Sequence, residues 1–282
     1  MTLKDFRAFF NNQLINLYPK KEVDAFFFRT IEALLQLKLM DFFTNENEII
    51  KEKDLQTLKT IVSRLQKEEP IQYILGATEF YGYQFNVNSN VLIPRPETEE
   101  LVSWVLEEVK NTEEELKVLD IGTGSGCIAI TLKKELSYLE VNAIDISEKA
   151  LETAKNNANF NQADVKFIQH DILSDKRLDC TFDIIVSNPP YVRELEKKEM
   201  KANVLNNEPH LALFVEDDNP LVFYERIADF GIKHLNKNGL LFFEINQYLG
   251  QETKQILMEK GYKNSILKKD LFGNDRMIKA NL

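Results

Sequence analysis

The amino-acid sequence predicts an α/β fold: a domain built on a mainly parallel sheet, preceded by a small helical N-terminal domain and a β-hairpin connector. After residue 116, short apolar strands alternate with helical stretches, whereas the first third of the chain is apolar at helical spacing. Between these parts the apolar period changes to two, which is typical of a strand with one buried face. We expect the helical domain in residues 1–78, the hairpin in residues 79–95 and the α/β domain in residues 96–282.

The first part of the chain is predicted to form a small helical bundle. A second helical stretch runs over residues 54–65, after a polar break. The apolar positions of the first stretch recur every three or four residues and are interpreted as the core of the bundle: Val23, Phe27, Ile31 and Leu34.

The connector is predicted from alternation. Residues 81–87 alternate between apolar and polar side chains, residues 88–90 are typical of a turn, and residues 91–93 are expected to return as the second strand. Pro96 is then expected to open a helix, whose acidic first turn suits the positive end of the helix dipole.

Five apolar runs predict the strands of the α/β domain. Helical segments separate them, so the strands are expected to be mainly parallel, with any ligand at their carboxyl ends. The runs are 117–121, 141–144, 165–168, 182–186 and 239–244.

Composition limits the class of protein. The chain has 282 residues, 44% hydrophobic, which is enough for one sizeable domain and a small accessory unit. Residues 1–95 are neutral, and the remainder carries the whole net charge of −10. Proteins that bind nucleic acid usually present a basic face, so we expect no direct binding of nucleic acid.

Cysteine, histidine and hydropathy patterns indicate the compartment. Cys127 and Cys180 are the two cysteines, neither in metal-type spacing, and the three histidines are scattered, so we expect neither disulfides nor a metal ion. Residues 1–10 mix charged and apolar positions, unlike a signal peptide, and no apolar run reaches the ~20 residues of a spanning helix. We therefore expect a cytoplasmic protein with no membrane partner.

The lack of a coiled-coil pattern favours a monomer.

A glycine-rich turn follows the first strand of the α/β domain and enters an apolar helix. Glycine allows a tight turn and a close approach of backbone to ligand. The third glycine comes one residue too early for the dinucleotide-binding G-x-G-x-x-G pattern, so a pyrophosphate site is the weaker interpretation. The predicted cofactor-binding residues of this turn are Gly122, Thr123, Gly124, Ser125 and Gly126.

Two carboxylates follow the next two strands. Asp145 is placed to accept hydrogen bonds from both hydroxyls of a ribose, although an aspartate there could instead cap the next helix. Asp171 could meet an adenine amino group or serve only as a turn residue, and Ile172 could pack on the adenine face. All three are assigned to the cofactor site.

The fourth strand ends in Asn188-Pro189-Pro190-Tyr191, which carries the most specific chemistry in the sequence. Two prolines fix the backbone and leave carbonyl oxygens free. The Asn188 side-chain oxygen and the Pro189 carbonyl oxygen can then accept both hydrogens of one –NH₂ group, while Tyr191 stacks on a flat acceptor or covers it. Such an arrangement can aim the nitrogen lone pair at an electrophilic methyl group, so catalysis would rest on orientation. These four residues are the predicted catalytic and substrate-binding residues.

The glycine turn, Asp145 and the Asn-Pro-Pro-Tyr motif, in this order, resemble class I amino-methyltransferases, which have a Rossmann-like domain. A longer resemblance is to the bacterial release factor glutamine N5-methyltransferases, the HemK/PrmC family. Its distinguishing segments are 69–76, 91–99, 118–130 and 185–191, with a further match at 208–213.

The resemblance implies S-adenosylmethionine as methyl donor and, as acceptor, the glutamine of the Gly-Gly-Gln motif in peptide-chain release factors. It implies that Asn188 also contacts the cofactor. The chain departs from the family pattern in three places: Ile172 stands where many members have an aromatic residue, residues 214–220 lack the expected glycines, and Asn246 replaces a glycine. The alternative is a methyltransferase that acts on the exocyclic amine of a DNA or rRNA base. Such an enzyme could use the same motif, but it must flip the base out of the nucleic acid and bind the phosphate backbone.

Two charged segments near these motifs have open interpretations. Arg95 and Glu97 could be held by local salt bridges or helix capping, or could dock a protein substrate. Residues 194–201 are predicted to form a solvated helical face, with a lid over the acceptor pocket as a further hypothesis.

Overall fold

The computed structural model describes residues 1–112 and 114–282, which form two compact units. The first unit comprises Met1–Gly76 and Lys201–Asn207, and the second comprises Ala77–Met200 and Glu208–Leu282. Residues 201–207 fall within the range expected for the α/β domain, and the domain limits drawn from sequence stay a prediction.

The first unit is helical. Its helices are α1 (Leu3–Leu14), α2 (Lys20–Leu35), α3 (Leu39–Asn45), α4 (Glu52–Leu65), α5 (Ile71–Leu75) and α9 (Ala202–Asn207). Helix α1 starts at a capping box, in which the Thr2 side chain accepts from the Asp5 N–H and the Asp5 carboxylate accepts from the Thr2 N–H. Its residues Phe6 and Phe10 are fully buried and meet Phe27 of α2. Aromatic burial therefore holds this unit together.

The second unit is built on a seven-stranded sheet, whose strands are β3 (Lys117–Ile121), β4 (Glu140–Asp145), β5 (Val165–Gln169), β6 (Phe182–Ser187), β9 (Leu235–Glu244), β10 (Lys263–Lys269) and β11 (Asp275–Asn281). They lie in the order β10-β11-β9-β6-β3-β4-β5. The five strands from β9 to β5 are parallel, whereas β11 runs antiparallel to β9 and β10 antiparallel to β11.

Helices cover both faces of this sheet. Alternate residues of β3 join different cores: Val118 packs with Val105 of the first flanking helix, whereas Leu119 packs with Ile227 on the other face. The described helices of the unit are α6 (Pro96–Val109), α7 (Cys127–Glu135), α8 (Glu148–Asn161), α10 (Val222–His234) and α11 (Gly250–Glu259), with short 3₁₀ helices at Glu194–Glu199 and His210–Ala212. The predicted α/β class with a mainly parallel sheet is confirmed.

The predicted hairpin was wrong in its position along the chain. The paired strands are β1 (Ala77–Phe80) and β2 (Tyr83–Asn86), and residues 91–93 form no strand. Tyr81 (φ 53°) and Gly82 (φ 77°) both have positive φ, which is the geometry of a two-residue hairpin turn, so they are the turn itself. The backbone N–H of Ile93 donates to the Glu208 carboxylate, not to a neighbouring strand.

The parallel strands all end at one edge of the sheet. The residues that end or follow β3, β4, β5 and β6 there include the glycine turn, Asp145, Asp171 and Asn188. A short parallel pair, β7 (Val192–Arg193) and β8 (Phe214–Val215), begins directly after the Asn-Pro-Pro-Tyr motif, residues 188–191. No helix in residues 1–112 and 114–282 combines the length and apolar character that a membrane span requires.

Candidate active site

A cavity of about 300 Å³ opens at the carboxyl edge of the parallel strands. Gly126 and Tyr191, two of the predicted site residues, are not part of its lining. The other predicted site residues all line it: Gly122, Thr123, Gly124, Ser125, Asp145, Asp171, Ile172, Asn188, Pro189 and Pro190. The fold thus gathers both predicted subsites around one space, while the individual roles remain predictions.

The glycine turn has the backbone geometry that only glycine adopts readily. Gly122 (φ 74°), Gly124 (φ 54°) and Gly126 (φ 83°) are all left-handed. The N–H groups of Gly122 and Thr123 both donate to the Ile144 carbonyl oxygen, at 2.9 and 3.0 Å. The turn is therefore tied to the end of β4, beside Asp145.

A buried carboxylate lies beneath the turn. Asp120 is fully buried and its Oδ2 accepts from the Thr123 hydroxyl at 2.6 Å. Burial raises the pKa of Asp120 to about 7, although the Thr123 hydrogen bond opposes the shift. Asp120 supports the turn from below and is absent from the cavity lining.

Asp145 is held by backbone donors. Its Oδ2 accepts from the Gly124 N–H at 2.9 Å, and its Oδ1 accepts from the Ser147 N–H at 2.8 Å. The N-cap of α8 is Ser147, whose hydroxyl accepts from the Ala150 N–H, so helix capping is not the function of Asp145. Burial raises the pKa of Asp145, while the backbone N–H groups oppose the shift.

The residues after β5 combine turn and lining functions. Asp171 Oδ1 accepts from the Leu173 N–H at 2.9 Å, which is a turn hydrogen bond, yet Asp171 also lines the cavity. Ile172 lines it as well and packs against the hydrophobic core. His170, which the sequence analysis did not single out, is buried in the same wall, and among the described residues its Nε2 has no hydrogen-bond partner.

The acceptor side contains a chain of hydrogen bonds that connects distant segments. Asn188 Nδ2 donates to the Thr98 hydroxyl at 3.1 Å, and that hydroxyl donates to Glu244 Oε2 at 2.6 Å. The Tyr191 hydroxyl donates to the other oxygen, Glu244 Oε1, at 3.0 Å. Glu244 is 1% exposed, and burial raises its pKa. Sequence reasoning counted Glu244 only as a strand residue and missed Thr98.

Residues 194–201 are not simply a solvated face. Glu196 is 8% exposed, and its carboxylate accepts from the Arg193 side chain and from Asn246 Nδ2. Asn246 Nδ2 also donates to the Tyr191 carbonyl oxygen at 2.9 Å. The predicted solvated face was therefore wrong at Glu196, because a buried carboxylate anchors this run to the turn after β9.

Arg95 is paired with a residue far along the chain. It lies 2.6 Å from the carboxylate of Glu208, which is buried and also accepts from the Ile93 N–H. The expected local salt bridge is thus a long-range one. Because Arg95 also lines the cavity, this ion pair shapes the cavity rim.

Comparison with known proteins decides the family. The family model described as PrmC N-terminal domain matches residues 18–76, and the one described as Methyltransferase small domain matches residues 100–216. A release factor glutamine methyltransferase from Flavobacterium psychrophilum is 51% identical over 100% of this chain and 99% of the relative. One of the same description from Bacteroides thetaiotaomicron is 46% identical over 97% of this chain and 98% of the relative.

The chain belongs to the release factor glutamine methyltransferase family. It is a methyltransferase, as the sequence analysis predicted, and the predicted family resemblance is confirmed.

Solved structures agree on the fold. A 16S rRNA N2 methyltransferase from Thermus thermophilus, in complex with AdoMet and guanosine, matches with a TM-score of 0.53 at 19% identity, over 73% of this chain and 49% of that chain. The hMettl16 catalytic domain, in complex with an RNA hairpin, matches with a TM-score of 0.56 at 16% identity, over 82% of each chain. At these identities the likeness establishes the Rossmann-like class I methyltransferase fold alone.

Proposed function

We propose that this protein transfers the methyl group of S-adenosylmethionine to the side-chain amide nitrogen (N5) of the glutamine in the Gly-Gly-Gln motif of peptide-chain release factors. The observation that carries the proposal is the orientation of Asn188. Its Nδ2 is engaged by Thr98, so its Oδ1 is the atom available to an incoming –NH₂ group. Membership of the release factor glutamine methyltransferase family supports a glutamine as the owner of that group.

The cofactor side fits S-adenosylmethionine. The half-buried Asp145 carboxylate lines the cavity, and each ionised oxygen can accept a further hydrogen bond beyond the one from Gly124 or Ser147. Asp145 would hold the ribose hydroxyls, the glycine turn would approach the cofactor closely, and Asp171 with Ile172 would flank the adenine. When bound, S-adenosylmethionine supplies an electrophilic sulfonium methyl group.

The residues of the acceptor side would orient the amide nitrogen of the glutamine. Asn188 Oδ1 and the Pro189 carbonyl oxygen would each accept one hydrogen of the glutamine amide. Two acceptors hold that nitrogen with its lone pair directed away from both hydrogens, toward the methyl donor. The delocalised amide nitrogen is a poor nucleophile, so this orientation is the main contribution that the residues make. Tyr191, fixed through its hydroxyl by Glu244, would bound the acceptor position.

We further propose that the protein acts as a cytoplasmic monomer that binds the release factor and neither nucleic acid, membrane nor metal ion. The acidic character of the chain, with its net charge of −10, supports the exclusion of nucleic acid. Two free cysteines, Cys127 and Cys180, are compatible with a reducing compartment.

The test is a transfer assay with methyl-labelled S-adenosylmethionine. Substrates would be a bacterial release factor, the same factor with its Gly-Gly-Gln glutamine changed to alanine, duplex DNA and ribosomal RNA. We expect label only in the unmodified factor, and none with the Asn188→Ala enzyme within the time that the wild-type reaction takes. Label in DNA or rRNA without label in the factor would establish the nucleic-acid alternative instead.

A further inference from the structure

Thr98 lies between the acceptor asparagine and a buried carboxylate. Thr98 is 2% exposed and Glu244 is 1% exposed, so bulk water does not compete for their hydrogen bonds. A hydroxyl has a single proton to donate, and an ionised carboxylate can only accept. The short contact of 2.6 Å from the Thr98 hydroxyl to Glu244 Oε2 therefore uses the Thr98 proton.

This assignment decides which end of the Asn188 amide faces Thr98. Because the Thr98 oxygen has no proton left to donate, it can only accept from Asn188, and the donor end, Nδ2, must point toward it at 3.1 Å. The oxygen end is then on the opposite side. Among the residues that the structure describes, no group donates a hydrogen bond to Asn188 Oδ1.

We propose that Glu244 and Thr98 are positioning residues that fix the side-chain amide of Asn188 with its oxygen toward the nitrogen to be methylated. The inference rests on the proposed function, because it assigns these two residues to the acceptor subsite of that reaction. Thr98 lines the cavity and Glu244 does not, and in this proposal both act through Asn188.

The hydrogen bonds that link Glu244, Thr98 and Asn188 are called the relay below. They matter because an amide turned end for end has the opposite hydrogen-bonding character. A flipped Asn188 would present two N–H donors to the –NH₂ group of the substrate, and one of the two acceptors would be lost. Loss of a preorganised hydrogen bond, or a small misplacement of the reacting group, costs on the order of 10²-fold in turnover. Fixing the orientation before the substrate arrives avoids this loss.

The relay also predicts a dependence on pH. A protonated Glu244 could donate to the Thr98 oxygen, which would free the Thr98 proton for Asn188 Oδ1 and favour the flipped amide. Burial raises the pKa of Glu244, so it gains a proton at a higher pH than an ordinary glutamate, and turnover should fall as the pH falls through that pKa. The titratable groups around Glu244 come from five segments: Glu97, Cys127, Tyr191, Tyr224 and Arg276.

A matched pair of variants tests the relay. Thr98→Val has nearly the same shape but no hydroxyl, whereas Thr98→Ser keeps it. With saturating S-adenosylmethionine and release factor, we expect Thr98→Val to lower kcat on the order of 10²-fold and Thr98→Ser to stay within about threefold of wild type. Cofactor affinity, measured by calorimetry, should change little in either. Wild-type kcat in Thr98→Val would overturn the proposal.

A double-variant cycle separates positioning from a general loss of structure. The slow residual rate of Asn188→Ala is followed over a long incubation; if Thr98 acts through Asn188, adding Thr98→Val should not lower that rate further. An equal loss in both backgrounds would overturn the proposal. Glu244→Gln keeps the shape of the side chain but cannot ionise. We expect it to lower kcat and to remove the fall in kcat at acidic pH. An unchanged fall at acidic pH would contradict the role of Glu244.

An activity-independent measurement keeps the relay separate from the proposed function. In ¹⁵N-labelled protein, the side-chain NH₂ resonance of Asn188, assigned by its loss in Asn188→Ala, should shift in Thr98→Val and titrate with Glu244. A resonance that is unchanged by both would overturn the relay even if the release factor is methylated. A wild-type enzyme that leaves the factor unlabelled, with the resonance behaving as expected, would overturn the proposed substrate alone.

Discussion

The side-chain amide of Asn246 donates two hydrogen bonds, one to the Tyr191 carbonyl oxygen at 2.9 Å and one to Glu196 Oε2 at 2.9 Å. The family resemblance led us to expect a glycine at this position, and glycine could make neither bond. In this chain the turn after β9 therefore holds the backbone of Tyr191 and a buried carboxylate together.

Replacing Asn246 with alanine should loosen this connection. Three side-chain hydrogen bonds are lost, including the one that Asn246 Oδ1 accepts from the Tyr248 N–H, and the buried Glu196 carboxylate loses a donor. We therefore expect a decrease in unfolding free energy of about 1–3 kcal/mol, together with a higher KM for the release factor. Chemical denaturation and steady-state kinetics would measure the two effects. Asn159→Ala, at an exposed position of α8, is the matched control. Equal stability of the two variants would contradict the connection.

Gly126 should be the least replaceable glycine of the turn. A Cβ there would lie 2.8 Å from Ile130 Cδ1 and 3.2 Å from Ala154 Cβ, in addition to the strain of a positive φ. Gly261, with φ +93°, has the same strain but open space around its Cβ. We expect Gly126→Ala to lower the melting temperature more than Gly261→Ala, the difference reflecting the packing of α7 against α8. Equal losses would show that backbone strain alone is responsible.

Asp120 should make stability depend on pH in an unusual direction. Burial raises its pKa from 3.8 to about 7, so between these values the folded protein holds a proton that the unfolded chain releases. The folded state binds more protons over this window, and the contribution of Asp120 to stability falls as the pH rises through it.

Asp120→Asn isolates this contribution. The difference in unfolding free energy, wild type minus variant, should decrease from pH 4 to pH 7 by a few kcal/mol, an estimate on the order of the linkage free energy for such a shift. Denaturation at several pH values would measure it. A difference that does not change with pH would mean that Asp120 titrates normally.

The pair of Arg95 and Glu208 should matter more than an exposed pair. Glu208→Gln keeps an acceptor for the Ile93 N–H but removes the charge that Arg95 contacts at 2.6 Å. We expect a loss of about 1–3 kcal/mol in unfolding free energy, since the carboxylate is buried. Glu140→Gln breaks the exposed pair with Lys117 and should cost less than about 1 kcal/mol. A larger loss for Glu140→Gln would contradict this ranking.

The strands of the sheet were predictable because each buried parallel strand is a nearly continuous apolar run. The run at 117–121 matches β3 residue for residue. By contrast, β9 begins at Leu235, four residues before the predicted start, because polar residues 236–238 interrupt the apolar pattern. The hairpin failed for a related reason: alternation marks a strand but does not show that Tyr81 adopts a positive φ.

The candidate site was predictable only where its residues are adjacent in sequence. The glycine turn and the Asn-Pro-Pro-Tyr motif carry their chemistry in consecutive residues. Thr98, Asn188 and Glu244 come together only through folding, because Thr98 bonds partners 90 and 146 residues away. A buried threonine at the start of α6 and a glutamate at the end of a strand are ordinary in isolation, so no local pattern predicts the relay.

The most direct test of the account is tandem mass spectrometry of a release factor after incubation with the protein and S-adenosylmethionine. We expect one added methyl group, on the side chain of the Gly-Gly-Gln glutamine, in the reaction with wild-type protein and not with Asn188→Ala. A methyl group on any other residue, or an unmodified glutamine with an active enzyme, would contradict it.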